Sequence, residues 1–463
     1  MRLNEVESPA VSRVQRAGVS TKRLPFESAA LFGAVALGLA LRVYGIVTES
    51  IWLDEATSLM LARMDVVSLV QWTAIDVHPP FYYLLLHYWL MMGESDFMVR
   101  ALSALVGVLN IVVIYHLGRA WFDRRTGLIA ALLLVVAPFH IWYSQETRMY
   151  ALLTLLISSS ILLAFRFWKT RTWIAWVGYL LVTVAALYTH YYALFGLFLE
   201  NLFFLYFLVR HRVDRRLFWA WAGSQAALLL LFLPWIPILL PLFGGGGGWI
   251  TLGVGKPSIT MLAYTAILYM LGTAHASYPL LLRHLSYLLF VALFLLGLWR
   301  RHVRAGAVEV RGGPQAEGRE AENVGFCLAY LILPLGISWL SSQVFKPMYS
   351  TRYMLPFIIP FLLLVARGVR NLRWPSLRWV AIAALVLVMG IGVVFQVIAI
   401  EKPDWRGLAA ELIDRSQEGD LVLFMPGWHA KPFDRYARGE LETFSDIPVP
   451  VERYGDDALA VVA

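Results

Sequence analysis

Long runs of apolar residues, separated by short polar segments, make up most of the chain between residues 24 and 399. A run of about 20 apolar residues has the length that a helix needs to cross the hydrocarbon core of a membrane. Eleven runs are predicted to span, at approximately 24–47, 97–121, 127–142, 149–168, 173–190, 192–209, 217–240, 280–299, 324–343, 353–369 and 378–399. The pattern therefore predicts an all-α polytopic membrane protein.

Two further apolar segments, 79–92 and 258–274, are predicted to lie at the external membrane interface instead of crossing. The first has only about 14 residues, and counting either one as a span would invert the loops that follow. When both segments are treated as interfacial, the basic clusters all lie on the cytoplasmic side, where lysine and arginine are enriched. These clusters are Arg166, Lys169 and Arg171; Arg210, Arg212, Arg215 and Arg216; Arg300, Arg301 and Arg304; and Arg367, Arg370, Arg373 and Arg378.

Three domains are expected: a cytoplasmic leader at 1–23, a membrane domain at 24–399 and a small external domain at 400–463. The first span is not followed by a small-residue cleavage site, so it is predicted to be a retained helix. In residues 401–463, acidic side chains outnumber basic ones by 13 to 7. The pattern there predicts a helix at 405–416, a strand at 420–425 and a helix at 431–438, which together form a small α/β domain.

Two polar segments interrupt the apolar pattern. Residues 305–323 are rich in Gly, Glu and Arg and are predicted to form a disordered cytoplasmic linker. Five consecutive glycines at 244–248 fit either a slack connector or the hinge of a mobile loop over a substrate site, and both interpretations stay open.

Composition agrees with the apolar pattern. The chain is 59% hydrophobic and 15% charged, with a mean hydropathy of +0.65, which excludes an ordinary soluble enzyme. Its net charge of +8 comes from short basic clusters between apolar runs, so it indicates membrane topology and no nucleic-acid partner. Cys327 is the only cysteine, which rules out an intramolecular disulfide and gives no sign of redox chemistry.

Polar residues that are unusual in membrane proteins converge on the predicted external side. Ionisable groups at the ends of spans are costly unless they face a wet cavity or a partner, so they indicate a functional site. For the tyrosines and for His190, a simple anchoring role at the interface is the competing interpretation. The set comprises Asp54, Glu55, Asp76, His78, Gln145, Glu146, Arg148, Tyr188, His190, Tyr191, Lys346, Tyr349, Arg352 and Tyr353.

Four local motifs carry a resemblance to a known family. They are WLDEATS at 52–58, HPPFYYLL at 78–85, YSQETRMYALL at 143–153 and TRYMLP at 351–356. In this order and on this side, they resemble the bacterial members of glycosyltransferase family 39, which are related to protein O-mannosyltransferases and aminoarabinose transferases of the GT-C fold. The resemblance covers the whole membrane part, and the tail is similar to the small external domain that many such proteins carry.

The resemblance implies an enzyme of the bacterial plasma membrane that moves a sugar, with inversion, from a polyprenyl phosphate donor to an external acceptor. It assigns the general base to Asp54, and Glu55 matches a second position whose role is less settled. His78 stands where some relatives have Lys, and a neutral imidazole attracts phosphate less strongly than an ammonium does.

The residue chemistry leads independently to the same site. An attacking hydroxyl needs a nearby carboxylate to accept its proton, which favours Asp54, and a leaving phosphate needs cationic donors. Those candidates are His78, Arg148, Lys346 and Arg352, although an ion pair between Arg148 and Glu146 is a structural alternative. The substrate pocket is expected to include Gln145, Glu146, His190, Tyr191 and Tyr353.

No cluster has metal-ligand spacing, so no obligatory cofactor is predicted, although the Asp54–Glu55 pair leaves a divalent metal possible. The main alternative function is a transporter or flippase that binds a lipid-linked sugar without reacting. The chain lacks the paired, Gly/Pro-broken repeats typical of such carriers. An inactive scaffold is a third alternative. The sugar, the acceptor (glycan, lipid or protein) and the oligomeric state are open.

Overall fold

The computed structural model describes residues 24–76, 78–211, 213–243, 255–299, 314–345, 347–399, 402–417, 420–424, 427–445 and 461–462. The predicted leader at 1–23, the glycine run at 244–248 and the candidate Lys346 lie outside these residues.

The described chain is almost entirely helical. Its α-helices are α1 Leu24–Val43, α2 Leu53–Ala62, α3 Val66–Ile75, α4 Phe81–Leu90, α5 Asp96–Trp121, α6 Arg124–Val135, α7 Pro138–Ser144, α8 Tyr150–Thr170, α9 Trp173–Leu187, α10 Ala193–His211, α11 Arg215–Phe232, α12 Ile236–Phe243, α13 Thr260–Leu271, α14 Leu280–Leu298, α15 Pro314–Val344, α16 Ile358–Asn371, α17 Pro375–Ala399, α18 Trp405–Arg415 and α19 Ala430–Ala437. Short 3-10 helices occupy Leu233–Trp235, His275–Ser277, Thr351–Phe357 and Gly427–His429. The strands are β1 Leu421–Phe424, β2 Glu442–Ser445 and β3 Val461–Val462.

Eight helical segments of the described chain are long and apolar enough to cross a membrane, or nine if one bent pair counts as a span. They are Asp96–Trp121, Tyr150–Thr170, Ala193–His211, Arg215–Pro241, Leu280–Leu298, Arg319–Val344, Thr351–Asn371 and Pro375–Ala399. The fold class predicted from the sequence, an all-α polytopic membrane protein, is confirmed.

Three of the eleven predicted spans are not among these eight segments. The predicted span at 127–142 is broken into α6 and α7, which meet at an angle of 62°. The break coincides with Pro138, which begins α7 and has no N–H to continue the hydrogen bonds of α6. The apolar run at 173–190 yields only the 15 residues of α9, and the 20-residue α1 is not among the eight segments.

The two predicted interfacial segments are short helices. Helix α4 has 10 residues and α13 has 12, so they are about 15 and 18 Å long at ~1.5 Å per residue. Neither length reaches across a hydrocarbon core of ~30 Å. Both lengths agree with the prediction that these segments do not span.

The predicted disordered linker at 305–323 is wrong for its second half, because α15 already begins at Pro314. Charged residues there have partners on other helices. Glu320 Oε1 lies 2.8 Å from Nη2 of Arg367 on α16, and Glu322 Oε1 lies 3.1 Å from Nε2 of His211 on α10. Polar composition alone does not reveal such pairing, which stabilises a helix that continues beyond the apolar run.

Helix α16 lies at the centre of the membrane domain, and its residues from Ile358 to Val369 are all buried. It approaches α14 closely where Gly297 faces Gly368. A side chain on either glycine would collide with the backbone of the facing helix, at Leu364 for Gly297 and at Leu293 for Gly368. Small residues of this kind let membrane helices pack backbone to backbone.

The C-terminal segment forms a small α/β unit around a parallel sheet with the strand order β2-β1-β3. Its core contains Trp405, Val422, Phe424 and Phe433. The predicted helices and strand at 405–416, 420–425 and 431–438 correspond to α18, β1 and α19. This unit packs against the loop before α2, because Ile51 N donates to Tyr436 Oη at 2.8 Å.

Candidate active site

Two neighbouring carboxylates begin helix α2 and point in different directions. Glu55 is the third residue of the helix, and its Oε2 accepts a 3.4 Å hydrogen bond from the amide of Trp52, the residue before the helix. Carboxylates in a first turn are also favoured by the helix dipole. Consecutive helical residues point about 100° apart, so the Asp54 side chain is 27% exposed whereas that of Glu55 is 0% exposed.

Glu55 belongs to a buried ion pair. Its two oxygens accept from Arg100 on α5, Oε1 from Nε at 2.8 Å and Oε2 from Nη2 at 2.7 Å. Oε1 also accepts from the amide of Thr147 at 2.9 Å. Burial raises the pKa of Glu55, but Lys402 and Arg100 outweigh burial and lower it to about 2. Glu55 is therefore an ionised carboxylate that joins α2 to α5 and to the loop before α8, with no face left for a substrate.

Asp54 pairs with an arginine from the fourth sequence motif, near the C-terminal end of the membrane domain in the sequence. Arg352 lies in the 3-10 helix Thr351–Phe357, and its Nη1 is 2.6 Å from Asp54 Oδ2. Both side chains are partly exposed. The pair therefore places a carboxylate and a guanidinium together at an accessible surface of the bundle.

Arg148 lies buried beside Asp54. Its Nη1 is 3.3 Å from the backbone oxygen of Asp54 and 3.2 Å from Ser58 Oγ. Its guanidinium carbon is 5.7 Å from the ring centre of Tyr150, and its Nε has no hydrogen-bond partner among the described residues. The second cation predicted from the motifs is thus next to the first carboxylate.

The ion pair between Glu146 and Arg148 that the sequence left open does not form. Glu146 instead pairs with Lys402, whose Nζ lies 3.3 Å from Oε1. Burial raises the pKa of Glu146, and Lys402 opposes that effect. The glutamate is 2% exposed, so it lies beneath the surface that Asp54 and Arg352 occupy.

An aromatic cluster of His78, His190 and Tyr353 lies next to the centre formed by Asp54, Arg148 and Arg352. The ring centres of the two histidines are 5.2 Å apart, and that of Tyr353 lies 4.6 Å from His190. Burial lowers the pKa of His78 and lowers that of His190 well below its usual range. Both imidazoles are therefore neutral near pH 7, which makes His78 a hydrogen-bonding group and not a cation.

Two predicted pocket residues lie to the side of the centre. Gln145 Nε2 donates to the backbone oxygens of Arg42 and Tyr44, at 3.2 and 2.8 Å, and so fixes the end of α1. Tyr191 Oη accepts from Trp235 Nε1 at 3.2 Å. Their contacts are those of anchoring residues.

Several buried polar atoms around the centre have no hydrogen-bond partner among the described residues. Besides Arg148 Nε, they include Tyr83 Oη, Tyr150 Oη and His190 Nε2. Buried donors without partners are rare and call for an explanation, such as a ligand or water that the group receives. No set of three or more His, Cys, Asp or Glu side chains within the described ranges is arranged to hold a metal.

Sequence reasoning missed two of the charged residues in this region, Arg100 and Lys402. Arg100 had a usable signal, because an arginine near the start of an apolar run is expensive unless it is paired. Lys402 had none, since it follows the last span in a segment that resembles any solvated tail.

Comparisons with known proteins agree with this architecture. The family model described as dolichyl-phosphate-mannose-protein mannosyltransferase matches residues 77–238, about a third of the chain. That stretch includes His78 and Arg148 but neither Asp54 nor Arg352. The comparison with curated proteins finds no match.

Solved structures share the fold over nearly the whole chain. ArnT from Cupriavidus metallidurans in the apo state has a TM-score of 0.62 and 14% identity, covering 90% of this chain and 86% of that one. The same protein bound to undecaprenyl phosphate gives a TM-score of 0.58 at 14% identity, with 92% and 86% covered. The archaeal oligosaccharyltransferase AglB from Archaeoglobus fulgidus, in complex with an inhibitory peptide and a dolichol-phosphate, gives 0.59 at 12% identity, with 92% and 65% covered.

The chain has the polytopic GT-C fold of these membrane proteins. The resemblance predicted from the four motifs is confirmed by the family match and the shared fold. At 14% identity or less, the solved structures show a common fold and do not assign an activity.

Proposed function

We propose that this chain is an inverting membrane glycosyltransferase that moves a sugar from a polyprenyl phosphate to an acceptor on the extracytoplasmic face. The observation that carries the proposal is the Asp54–Arg352 pair, a partly exposed carboxylate held 2.6 Å from a guanidinium, with Arg148 buried beside it. The fold is shared with a protein bound to undecaprenyl phosphate and with one in complex with a dolichol-phosphate, which supports a donor of this class.

Asp54 is assigned the role of general base. The acceptor oxygen attacks the anomeric carbon of the sugar while its proton passes to the Asp54 carboxylate. The bond between that carbon and the phosphate oxygen breaks, and the electron pair leaves with the polyprenyl phosphate. Attack from the opposite face inverts the anomeric centre. Asp54 fits this role better than Glu55 because only Asp54 has an exposed side chain.

The leaving phosphate needs positive charge and hydrogen-bond donors more than it needs an acid. Arg352 is partly exposed and supplies a guanidinium that donor phosphate and Asp54 would share. Arg148 Nε and the Tyr83 hydroxyl are buried donors without a hydrogen-bond partner among the described residues, which suits them to the phosphate or the sugar. Neutral His78 adds a hydrogen bond there, and Lys346 remains a candidate cation.

The aromatic cluster is assigned to the donor side of the site. The rings of His190 and Tyr353 offer an apolar face beside hydrogen-bonding atoms, a combination that binds sugar rings. Exposed apolar side chains on the spans would accommodate the isoprenoid tail in the lipid bilayer. The proposal places the enzyme in a bacterial plasma membrane, and the sugar and acceptor remain to be identified.

The test is a donor screen with the purified protein in bacterial lipid vesicles. The vesicles contain one polyprenyl phosphate sugar at a time, with glycan, lipid and peptide acceptors, and the released polyprenyl phosphate is measured. Release by the wild-type protein and its loss in Asp54→Asn are expected. Movement of an intact lipid-linked sugar across the vesicle without release would support the transporter alternative and overturn the proposal.

A further inference from the structure

Lys402 is a cation of the C-terminal segment that is buried against the membrane domain. Its Nζ lies 3.3 Å from Glu146 Oε1 and 3.7 Å from Glu55 Oε2. The same atom is 5.0 Å from the ring centre of Trp142 and 5.6 Å from that of Trp52. Two carboxylates and two indole faces thus surround one ammonium, a combination that holds a cation strongly when water is excluded.

The charges around Lys402 explain why the cation is needed. Glu55 is already neutralised by Arg100 through two hydrogen bonds. Glu146 has Lys402 as its ion-pair partner, and its Oε2 has no hydrogen-bond partner among the described residues. An unpaired carboxylate at such depth is very costly. Without Lys402, therefore, Glu146 would have to take up a proton or move.

Both glutamates adjoin the proposed catalytic groups. Glu55 follows Asp54 directly, and it accepts from the amide of Thr147 at 2.9 Å. Arg148 follows Thr147, and its amide donates to the backbone oxygen of Glu146 at 2.8 Å. A shift of Glu146 would move the short loop between α7 and α8, and Arg148 would move with it.

The backbone of Lys402 is fixed as firmly as its side chain. Its amide donates to Glu49 Oε2 at 2.9 Å. Two residues further on, Asp404 Oδ1 accepts from Ser50 Oγ at 3.0 Å. The loop before α2 therefore binds the C-terminal segment through these hydrogen bonds. They place the ammonium of Lys402 between the carboxylates of Glu55 and Glu146.

We propose that Lys402 is a positioning residue that bridges Glu55 and Glu146 and thereby fixes the distance between Asp54 and Arg148, so that the C-terminal segment completes the active site. The effect on catalysis rests on the proposed glycosyl transfer. The effect on the geometry does not, and it can be measured without turnover.

The main variants are Lys402→Met, which removes the charge, and Lys402→Arg, which keeps it. Arg415→Met is the matched control, because Arg415 is an exposed cation of the same segment that pairs with Glu411 within its own helix at 2.8 Å. In Lys402→Met, kcat should fall by about 10- to 100-fold, the scale of a small misplacement of reacting groups, with a smaller change in KM for the donor. Lys402→Arg should restore most of the loss, and Arg415→Met should resemble the wild type.

The pH dependence of stability separates positioning of charge from simple packing. The ionisable groups that influence Glu146 are Lys402, Glu55 and Arg352, with Tyr82 and Tyr143 nearby. Burial raises the pKa of Glu146, and removing Lys402 raises it further. A raised pKa gives stability that is present at low pH and lost as pH rises through the folded-state value. Above about pH 5, where Glu55 stays ionised beside Arg100, the melting temperature of Lys402→Met should therefore fall with rising pH more steeply than that of the wild type, and adding Glu146→Gln should remove the extra slope.

Hydrogen exchange gives a readout of the geometry that needs no substrate. In Lys402→Met, peptides covering 50–60 and 143–150 should exchange faster, because a shift of Glu146 moves the Thr147 amide away from its acceptor on Glu55, whereas Arg415→Met should leave them unchanged. Unchanged exchange in Lys402→Met, or a pH slope equal to that of the wild type, overturns the bridge. Faster exchange with an unchanged kcat overturns the positioning role. If the wild-type protein releases no polyprenyl phosphate from any donor, the proposed function fails, and exchange and pH slope alone decide on Lys402.

Discussion

Arg352 Nη1 lies 2.6 Å from Asp54 Oδ2, although 298 residues separate the two along the chain. The contact brings the first and the last of the four sequence motifs together. In the proposed reaction the pair also sets a condition, because Asp54 would accept the acceptor's proton only with its carboxylate oriented toward the acceptor. Donor phosphate that draws Arg352 toward itself would leave Asp54 available at the moment when a sugar is in place.

Asp54→Asn should abolish most turnover while leaving donor binding nearly intact. The amide preserves the shape of the side chain but cannot act as a base, and loss of a general base costs about 100- to 10,000-fold in rate. Release of polyprenyl phosphate and binding of a labelled donor are measured on the same preparation. Near-wild-type turnover by a folded Asp54→Asn protein, free of wild-type enzyme, would rule out Asp54 as the base.

Arg352→Ala should weaken donor binding by roughly 10- to 100-fold, the equivalent of about 1.5–3 kcal/mol for a hydrogen bond to a charged group. The control is Arg63→Ala, which removes an exposed arginine whose Nη2 lies 2.6 Å from Glu94 Oε2. Surface pairs of that kind contribute little, so its donor affinity should match the wild type. Equal affinities in the Arg352 and Arg63 variants would assign Arg352 to a purely structural pair.

Arg148→Ala should also weaken donor binding, and it should lower stability as well. Arg148 is buried and donates to the backbone oxygen of Asp54 and to the hydroxyl of Ser58, so its loss removes both hydrogen bonds and leaves a cavity. Donor affinity and melting temperature are compared with those of Arg352→Ala. A drop in stability with unchanged donor affinity would contradict a phosphate-binding role.

The motifs predicted Asp54, Arg148 and Arg352 correctly as neighbours, because local sequence records which polar residues lie at the ends of spans. Sequence could not pair Glu146 with Lys402, since which buried charge meets which depends on long-range packing. The α6–α7 break was missed for a different reason, because continuous apolar composition masks the local signal of Pro138. Apolar composition stays continuous through Pro138, so the 62° bend is set by backbone geometry that hydropathy does not record.

The same limit applies to the role of Glu55. Adjacent carboxylates look equivalent in sequence, and only burial separates the exposed Asp54 from the paired Glu55. The bounds of the predicted span at 173–190 were too wide, because that apolar run of 18 residues contains a helix of only 15. The small C-terminal unit was predicted well, since its amphipathic periodicity is local.

Glu55→Gln should destabilise the fold by about 3–5 kcal/mol at neutral pH, because it leaves Arg100 buried without its counter-charge. The folded-state pKa of Glu55 is about 2, below the ordinary value of 4.5. A depressed pKa gives stability that is present above pH 4.5 and lost as pH falls toward 2. The gap in melting temperature between Glu55→Gln and the wild type should therefore narrow below pH 4.5.

Glu94→Gln is the control for that experiment, since Glu94 is an exposed partner of Arg63. Its stability should stay within about 0.5 kcal/mol of the wild type, as surface substitutions usually do. A Glu55→Gln protein as stable as the Glu94 variant would contradict the view that the Glu55–Arg100 pair holds the site together.

Labelling of single cysteines should place α3 and the C-terminal segment on the same, external side of the membrane. Suitable positions are Val67, which is 65% exposed on α3, and Glu411, whose side chain is 56% exposed on α18. Ser50 is unsuitable because it is buried against Asp404.

An impermeant maleimide should react with Val67→Cys and Glu411→Cys in intact cells. Thr172→Cys, in the exposed loop beside the basic cluster at 166–171, should react only after permeabilisation. Native Cys327 is buried, so it should contribute little background. The physical reason is that lysine and arginine concentrate on cytoplasmic loops. External labelling at Thr172→Cys would invert the topology, and it would place the Asp54–Arg352 site on the cytoplasmic face, where an extracytoplasmic acceptor could not reach it.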